Sequence, residues 1–220
     1  MIRLKNRATP SQGVMLMISH EHRCILVHIP RCAGTSIEAW VVGDDWWNIQ
    51  PESKHLLASQ AREIYSPFWN QYFKFAFVRH PADRMISCLK YDCHLGLSYD
   101  RQKGVSFSGY HEKFGDDIIV EHDHRFWRRD DLVTRRHGPG TIYSNILDER
   151  LDFIGRMENL HEDLKTVARA IGKSDPFNLH LEKSTWPVAK AQSLSIADIM
   201  HIEAMCRQDM DQFGYASMRI

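Results

Sequence analysis

The sequence lacks any apolar run long enough to cross a membrane. The longest apolar stretch near its N-terminus, residues 14–18, is too short for the core of a signal peptide and leads into the polar residues 19–22. None of the six asparagines lies in an Asn-x-Ser/Thr acceptor site, which favours a chain that never enters a secretory pathway. We therefore expect a cytoplasmic protein without a membrane span.

An excess of charge of one sign is also missing, since 28 lysines and arginines balance 28 aspartates and glutamates. Without net charge there is no general field to attract nucleic acid or an anionic membrane, so any recognition of anions must be local.

The five cysteines are an odd number and contain no CxxC pair, which argues against a disulfide framework and a structural zinc site. The 13 histidines include alternating pairs in polar stretches, but no third ligand lies at metal spacing, and we expect no metal.

What the sequence does contain is a short stretch that predicts an anion site. Residues 24–27 predict an apolar strand, and residues 28–38, HIPRCAGTSIE, continue through a loop of small residues into a helix start. Gly34 lets the backbone approach an anion closely, the first helical amides face outward, and Arg31 adds a positive charge. The loop departs from an ordinary nucleotide-binding P-loop because no lysine precedes Thr35. A tight turn without a ligand is the structural alternative.

A second stretch of this kind spans residues 73–91, FKFAFVRHPADRMISCLKY. Its apolar first half predicts a buried strand and Pro81 the first turn of a helix, so Arg79 lies at the C-terminal end of the strand. Ser87 follows within two helical turns of Pro81, and an arginine fork and a hydroxyl can bind one phosphate together. Alternatively, Arg79 and Arg84 are surface or ion-pair residues.

These two stretches resemble the phosphate-binding motifs of one enzyme family. HIPRCAGTSIE is similar to the 5′-phosphosulfate loop of sulfotransferases that use 3′-phosphoadenosine 5′-phosphosulfate (PAPS), and FAFVRHPADRMISCLKY is similar to their 3′-phosphate motif. Three later segments resemble, in the same order, the C-terminal half of the carbohydrate-type branch of that family: FIGRMENLHEDL at 153–164, HLEKS at 180–184 and DQFGY at 211–215. The resemblance implies a bacterial enzyme that transfers a sulfuryl group from PAPS to an acceptor hydroxyl on a carbohydrate.

The resemblance also implies roles for individual residues. The residues that would bind the sulfuryl donor are Arg31, Cys32, Ala33, Gly34, Thr35, Ser36, Arg79, Ser87, Lys183 and Ser184. Many members carry Lys-Thr where this chain has Arg31-Cys32, and the lysine contacts the oxygen that bridges sulfur and phosphorus. Arginine keeps the positive charge, and a phosphate that leaves as a stable anion needs no general acid. A helix N-terminus also lowers thiol pKa, so a reactive thiol is the alternative to a plain threonine replacement at Cys32.

The general base is inferred from its position in the chain. Carbohydrate sulfotransferases have a histidine between the two phosphate motifs, and His55 is the only histidine between Gly34 and Arg79. A neutral imidazole is suited to accept a proton from an attacking hydroxyl. The alternative is a half-exposed residue that opens a helix at 56–64. Two other functions remain open, a P-loop small-molecule kinase and a non-catalytic nucleotide-binding protein of the same fold.

The predicted fold is a single α/β domain over residues 1–220, with its core at about 24–216 and a central parallel sheet covered by helices on both faces. The resemblance makes this the P-loop-like sulfotransferase fold. Residues 96–150 are assigned to the acceptor site, because substrate-binding segments lie beyond the strand ends of parallel sheets. The predicted strands lie near 24–29, 73–79 and 152–156, and the best helices at 159–171 and 196–213. Ser195 with Asp198 is expected to cap the second of these helices.

Overall fold

The computed structural model describes residues 17–45, 54–84, 87, 142–175, 177 and 195–218. The strands are β1 (Ile18–Ser19), β2 (Cys24–Val27), β3 (Phe73–Val78) and β4 (Phe153–Arg156). The helices are α1 (Gly34–Val42), α2 (Ala58–Ile64), α3 (Ser66–Trp69), α4 (Ile142–Ile146), α5 (Leu160–Ile171), α6 (Ile196–Met205) and α7 (Arg207–Phe213), with a 3₁₀ turn at Met157–Asn159. Residues 81–84 and 87 are also helical. Most of the predicted acceptor segment 96–150 lies outside the described residues.

The four strands form one sheet in the order β1-β2-β3-β4. As predicted, β2, β3 and β4 are parallel, whereas the short edge strand β1 pairs antiparallel with β2 and was not predicted. In the register of the sheet, Val27 pairs with Ala76 and Val78 pairs with Arg156, so the three parallel strands end at the same edge. The segments that directly follow these strands are therefore neighbours, and those after β2 and β3 belong to the two predicted phosphate motifs.

Both faces of the sheet are covered. Residues 74–78 are all buried, and consecutive strand residues point to opposite faces. The helix predicted at 159–171 is confirmed as α5, which buries Leu164, Val167 and Ile171 and ends at Gly172 with a left-handed φ of 65°. This φ is the usual reason for glycine after a helix.

The helix predicted at 196–213 is capped by Ser195 as expected, but it is two helices that meet at Cys206. The apolar period continues across the break because Ile202, Cys206 and Met210 are all buried, so the sequence pattern gives no sign of it. In α7 the buried Asp209 accepts hydrogen bonds from the amides of Tyr143 and Ser144, which caps α4.

Candidate functional site

The loop between β2 and α1 turns tightly at the C-terminal edge of the sheet. Arg31 and Ala33 adopt left-handed φ values of 64° and 63°, which is uncommon for residues other than glycine. The amide of Cys32 donates to the carbonyl oxygen of Ile29 at 3.3 Å and closes the turn. Ala33 is the N-cap of α1 and supplies no side-chain acceptor for the first helical amides. Such amides at a helix N-terminus are suited to bind an anion.

Close packing explains why residue 34 is a glycine, and the sequence did not indicate this. A Cβ atom at this position would overlap the imidazole ring of His28. His28 is itself fixed, since its Nδ1 lies 2.5 Å from Oε1 of the buried Glu38. The loop and the first turn of α1 are thus built closely over the His28 ring.

A buried lysine reaches this pair from the segment before α2. Lys54 is only 1 % exposed, and its ammonium forms ion pairs with Asp45 and, at 3.0 Å, with Glu38 Oε2. The same nitrogen lies 3.4 Å from Oγ1 of Thr35 in the phosphate loop. Burial alone would raise the pKa of Glu38, but His28 and Lys54 outweigh burial and hold this pKa below its usual value.

Sequence reasoning missed this network. Glu38 looks like an ordinary surface residue of a helix, and Lys54 has no motif around it other than its neighbour His55. Carboxylates and lysines are rarely buried unless they are paired, and these partners come from separate segments. No local signal in the sequence could have identified the network.

His55 lies beside the same network. Its Nδ1 is 3.2 Å from the carbonyl oxygen of His28, and the two imidazole rings meet edge to face with centroids 4.4 Å apart. A carbonyl oxygen can only accept a hydrogen bond, so in neutral His55 the proton resides on Nδ1 and the lone pair on Nε2. This tautomer leaves Nε2 as the basic atom. The helix α2 begins at Ala58, so His55 precedes the helix and does not open it.

The second motif begins where predicted, with Arg79 directly after β3 and helical residues from Pro81. The hydroxyl of Ser87 accepts a hydrogen bond from Nε of Arg31 at 3.1 Å. The Nε of Arg84 donates to the carbonyl oxygen of Pro30 at 3.0 Å. These side-chain contacts join the two motifs in the part of the chain that the structure describes.

Arg84 is 1 % exposed, which excludes its alternative reading as a surface residue. Cys32 is buried to the same extent, and burial raises the pKa of its thiol to about 11 despite the opposing effect of the nearby Arg84 charge. The reactive thiol that the sequence left open is therefore not supported. Any nucleotide contact of Cys32 would involve its backbone.

Lys183 and Ser184 lie outside the described residues, and their predicted contacts stay predictions.

Within the part of the chain that the structure describes, no group of three or more His, Cys, Asp or Glu side chains is arranged to hold a metal ion. None of the helices described there has the length and apolar character needed to cross a bilayer.

The mostly parallel sheet and the tight loop between β2 and the N-terminus of α1 define an α/β protein with a P-loop-like fold. A family model described as "Sulfotransferase family" matches residues 14–216. Because this match covers most of the chain, the protein belongs to the sulfotransferase family and is a transferase. No curated protein and no solved structure gave a significant match.

Proposed function

We propose that the protein transfers a sulfuryl group from PAPS to a hydroxyl of a carbohydrate acceptor. One observation supports the choice of donor: Arg31 of the first phosphate motif contacts Ser87 of the second at 3.1 Å. PAPS bears phosphate groups at the 5′ and 3′ positions of one ribose, so two adjoining motifs match it. A nucleotide with only 5′ phosphates would need one motif. The carbohydrate acceptor rests on the branch of the family that the sequence resembles.

In the proposed reaction the acceptor hydroxyl attacks the sulfur atom opposite the oxygen that bridges sulfur and phosphorus. A bond forms between the acceptor oxygen and sulfur, and the bond from sulfur to the bridging oxygen breaks. The released 3′-phosphoadenosine 5′-phosphate keeps the electron pair. The acceptor proton passes to Nε2 of His55, whose Nδ1 is directed at the carbonyl oxygen of His28. Arg31 stabilises the charge that develops on the bridging oxygen.

The remaining residues bind the donor. The amides of Gly34 and Ser36 would contact the 5′-phosphosulfate at the N-terminus of α1. Thr35 Oγ1 accepts from Lys54 at 3.4 Å and keeps its own proton for an anion. Arg79 and Ser87 would bind the 3′-phosphate.

The kinase alternative gains a lysine near the loop, because Lys54 lies beside Thr35. Glu38 and Asp45 already compensate the charge of that lysine, however. A lysine that already forms ion pairs with two carboxylates is poorly placed to bind a nucleoside triphosphate.

Ligand choice tests the proposal directly. We expect 3′-phosphoadenosine 5′-phosphate without metal to raise the melting temperature by roughly 5–11 °C at one hundred times its Kd, since this occupancy adds about 2.7 kcal/mol of stability. At the same concentration, ATP with Mg²⁺ should have much less effect because it lacks a 3′-phosphate. The measurement is a thermal shift series with both ligands. Equal stabilisation by ATP and Mg²⁺ would favour the kinase.

The role of His55 is tested by its alanine variant. We expect His55→Ala to lower turnover roughly 100- to 10,000-fold, the usual contribution of a positioned base, and to leave the Kd of 3′-phosphoadenosine 5′-phosphate nearly unchanged. His161→Ala, at an exposed histidine of α5, is the matched control. Near-normal turnover of His55→Ala would refute the assignment. Collapse of turnover in a variant of His94, His111, His122 or His124 would then place the base on the C-terminal side of the 3′-phosphate motif.

A further inference from the structure

The peptide group between Arg79 and His80 is held from both sides. The hydroxyl of Tyr143 donates to the carbonyl oxygen of Arg79 at 2.6 Å, and the amide of His80 donates to Oε1 of Glu158 at 2.6 Å. These two polar groups belong to one planar unit. Its orientation is therefore fixed by two side chains that come from distant segments of the chain.

Each of these side chains is supported in turn by the C-terminal part of the chain. Tyr143 is 1 % exposed, and its amide donates at 2.8 Å to Oδ2 of the fully buried Asp209 in α7. The second carboxylate oxygen of Glu158 accepts from the hydroxyl of Tyr215 at 3.1 Å. Both oxygens of Glu158 are thus occupied by donors.

His80 contacts the same terminal segment. Its Nδ1 accepts from the amide of Ala82 at 3.2 Å, so Nε2 carries the proton and donates to the carbonyl oxygen of Ala216 at 3.1 Å. The segment is anchored further by the amide of Met218, which donates to Glu203 Oε1 at 2.7 Å. Residues 215–218 therefore pack against the turn that follows Arg79.

We propose that Tyr143 and Glu158 are positioning residues that set the selectivity of the site for nucleotides with a 3′-phosphate. The two hydrogen bonds from Tyr143 and to Glu158 fix the peptide group between Arg79 and His80, and with it ψ of Arg79 and φ of His80. These two angles determine how the helical segment with Ser87 is oriented relative to the strand that ends at Arg79. This inference rests on the proposed function, because it takes Arg79 and Ser87 as the 3′-phosphate site.

The charge of Glu158 supports a positioning role over a ligand-binding one. An exposed carboxylate beside an anion site repels the anion, so it is not a direct contact for a phosphate. Its position is explained by the two donors that it accepts, one in the peptide group after Arg79 and one in the terminal segment.

The experiment compares two nucleotides that differ only in the 3′-phosphate. Isothermal titration calorimetry on the full chain gives Kd values for 3′-phosphoadenosine 5′-phosphate and for adenosine 5′-phosphate, and their ratio measures selectivity. We expect a wild-type ratio of at least about tenfold. Tyr143→Phe and Glu158→Ala should each lower this ratio about threefold to tenfold, as expected for one lost hydrogen bond. The Kd of adenosine 5′-phosphate should change less than about twofold.

Conservative variants separate positioning from general stability. Glu158→Gln keeps an oxygen acceptor for the amide of His80 and should restore most of the ratio that Glu158→Ala loses. Tyr65→Phe is the matched control, because Tyr65 is also a buried tyrosine and, among the described residues, no hydrogen bond joins its hydroxyl to either phosphate motif. If Tyr143→Phe does not fold, Tyr215→Phe removes only the outer support of Glu158 and should still lower the ratio.

The outcomes are distinguishable. Equal weakening of both nucleotides, with an unchanged ratio, would show that Tyr143 and Glu158 are merely structural and would overturn this inference alone. A wild-type ratio near one would overturn the proposed donor and this inference with it.

Discussion

Glu38→Gln is the substitution that most directly tests the buried charge network behind the phosphate loop. Glutamine has nearly the same shape, so packing is kept while the negative charge between His28 and Lys54 is removed. Breaking a buried ion pair by changing one partner costs about 3–5 kcal/mol, because the other charge stays buried. Lys54 keeps its ion pair with Asp45. We therefore expect a loss near the lower end, about 3 kcal/mol.

Denaturant unfolding measures this loss. The midpoint of Glu38→Gln should fall while the slope with denaturant concentration stays the same, which shows that stability and not compactness has changed. The melting temperature should fall by roughly 6–12 °C for a chain of this length. Glu162→Gln is the matched control, since the exposed Glu162 carboxylate pairs with the exposed Lys165 on the surface of α5. Its stability should be unchanged within error.

The pH dependence of the stability difference between wild type and Glu38→Gln gives a second test. The pKa of Glu38 in the folded protein lies below its usual value of 4.5. A carboxylate with a lowered folded pKa contributes its full stability above the unfolded pKa and loses it as the pH falls through the folded pKa. The part of the stability difference that comes from the Glu38 carboxylate should thus be lost as the pH falls below about 4.5 and through the folded pKa. A loss under about 1 kcal/mol at pH 7 would refute the charge network.

Two further predictions follow from the phosphate loop. Gly34→Ala should cost about 1–3 kcal/mol by overpacking against the His28 ring, and His28→Ala/Gly34→Ala should lose less stability than the sum of the single variants when both are measured by denaturant unfolding. Cys32, with its pKa raised to about 11 by burial, should stay unmodified by iodoacetamide in the native protein at pH 8 and become labelled in denaturant. Peptide mapping by mass spectrometry measures this, and rapid native labelling would contradict the buried position.

The parts of the fold that could be predicted are those with local signals. The strands β2, β3 and β4 are short apolar runs, and α5 combines an apolar face with a terminal glycine. Ser195 and Asp198 form the predicted cap of α6 because a capping box spans only four residues. The break at Cys206 could not be predicted, since it leaves the apolar period intact.

The candidate site was predictable only as separate pieces. The sequence indicated Arg31, Arg79 and Ser87 from their motifs, but not that Arg31 and Ser87 touch. Tyr143 lies 64 residues after Arg79 in the chain. Its hydroxyl donates to the carbonyl oxygen of Arg79 only because α4 packs near the C-terminal end of β3. Contacts of this kind depend on the tertiary arrangement, which no residue pattern in one segment encodes.

The loop between β2 and α1 contains two residues in strained backbone conformations, and contacts from the second motif help to hold it. Left-handed φ values at Arg31 and Ala33 cost on the order of 1 kcal/mol or more each and persist only where the surroundings hold them. Two of the surrounding contacts come from the second motif, since Arg84 donates a hydrogen bond to Pro30, 54 residues away, and Ser87 accepts one from Arg31, 56 residues away. We therefore expect the conformation of the loop between β2 and α1 to depend on the pairing of β2 with β3. The proposed donor binding should accordingly depend on the folded sheet, and we expect that an isolated loop peptide would not reproduce it.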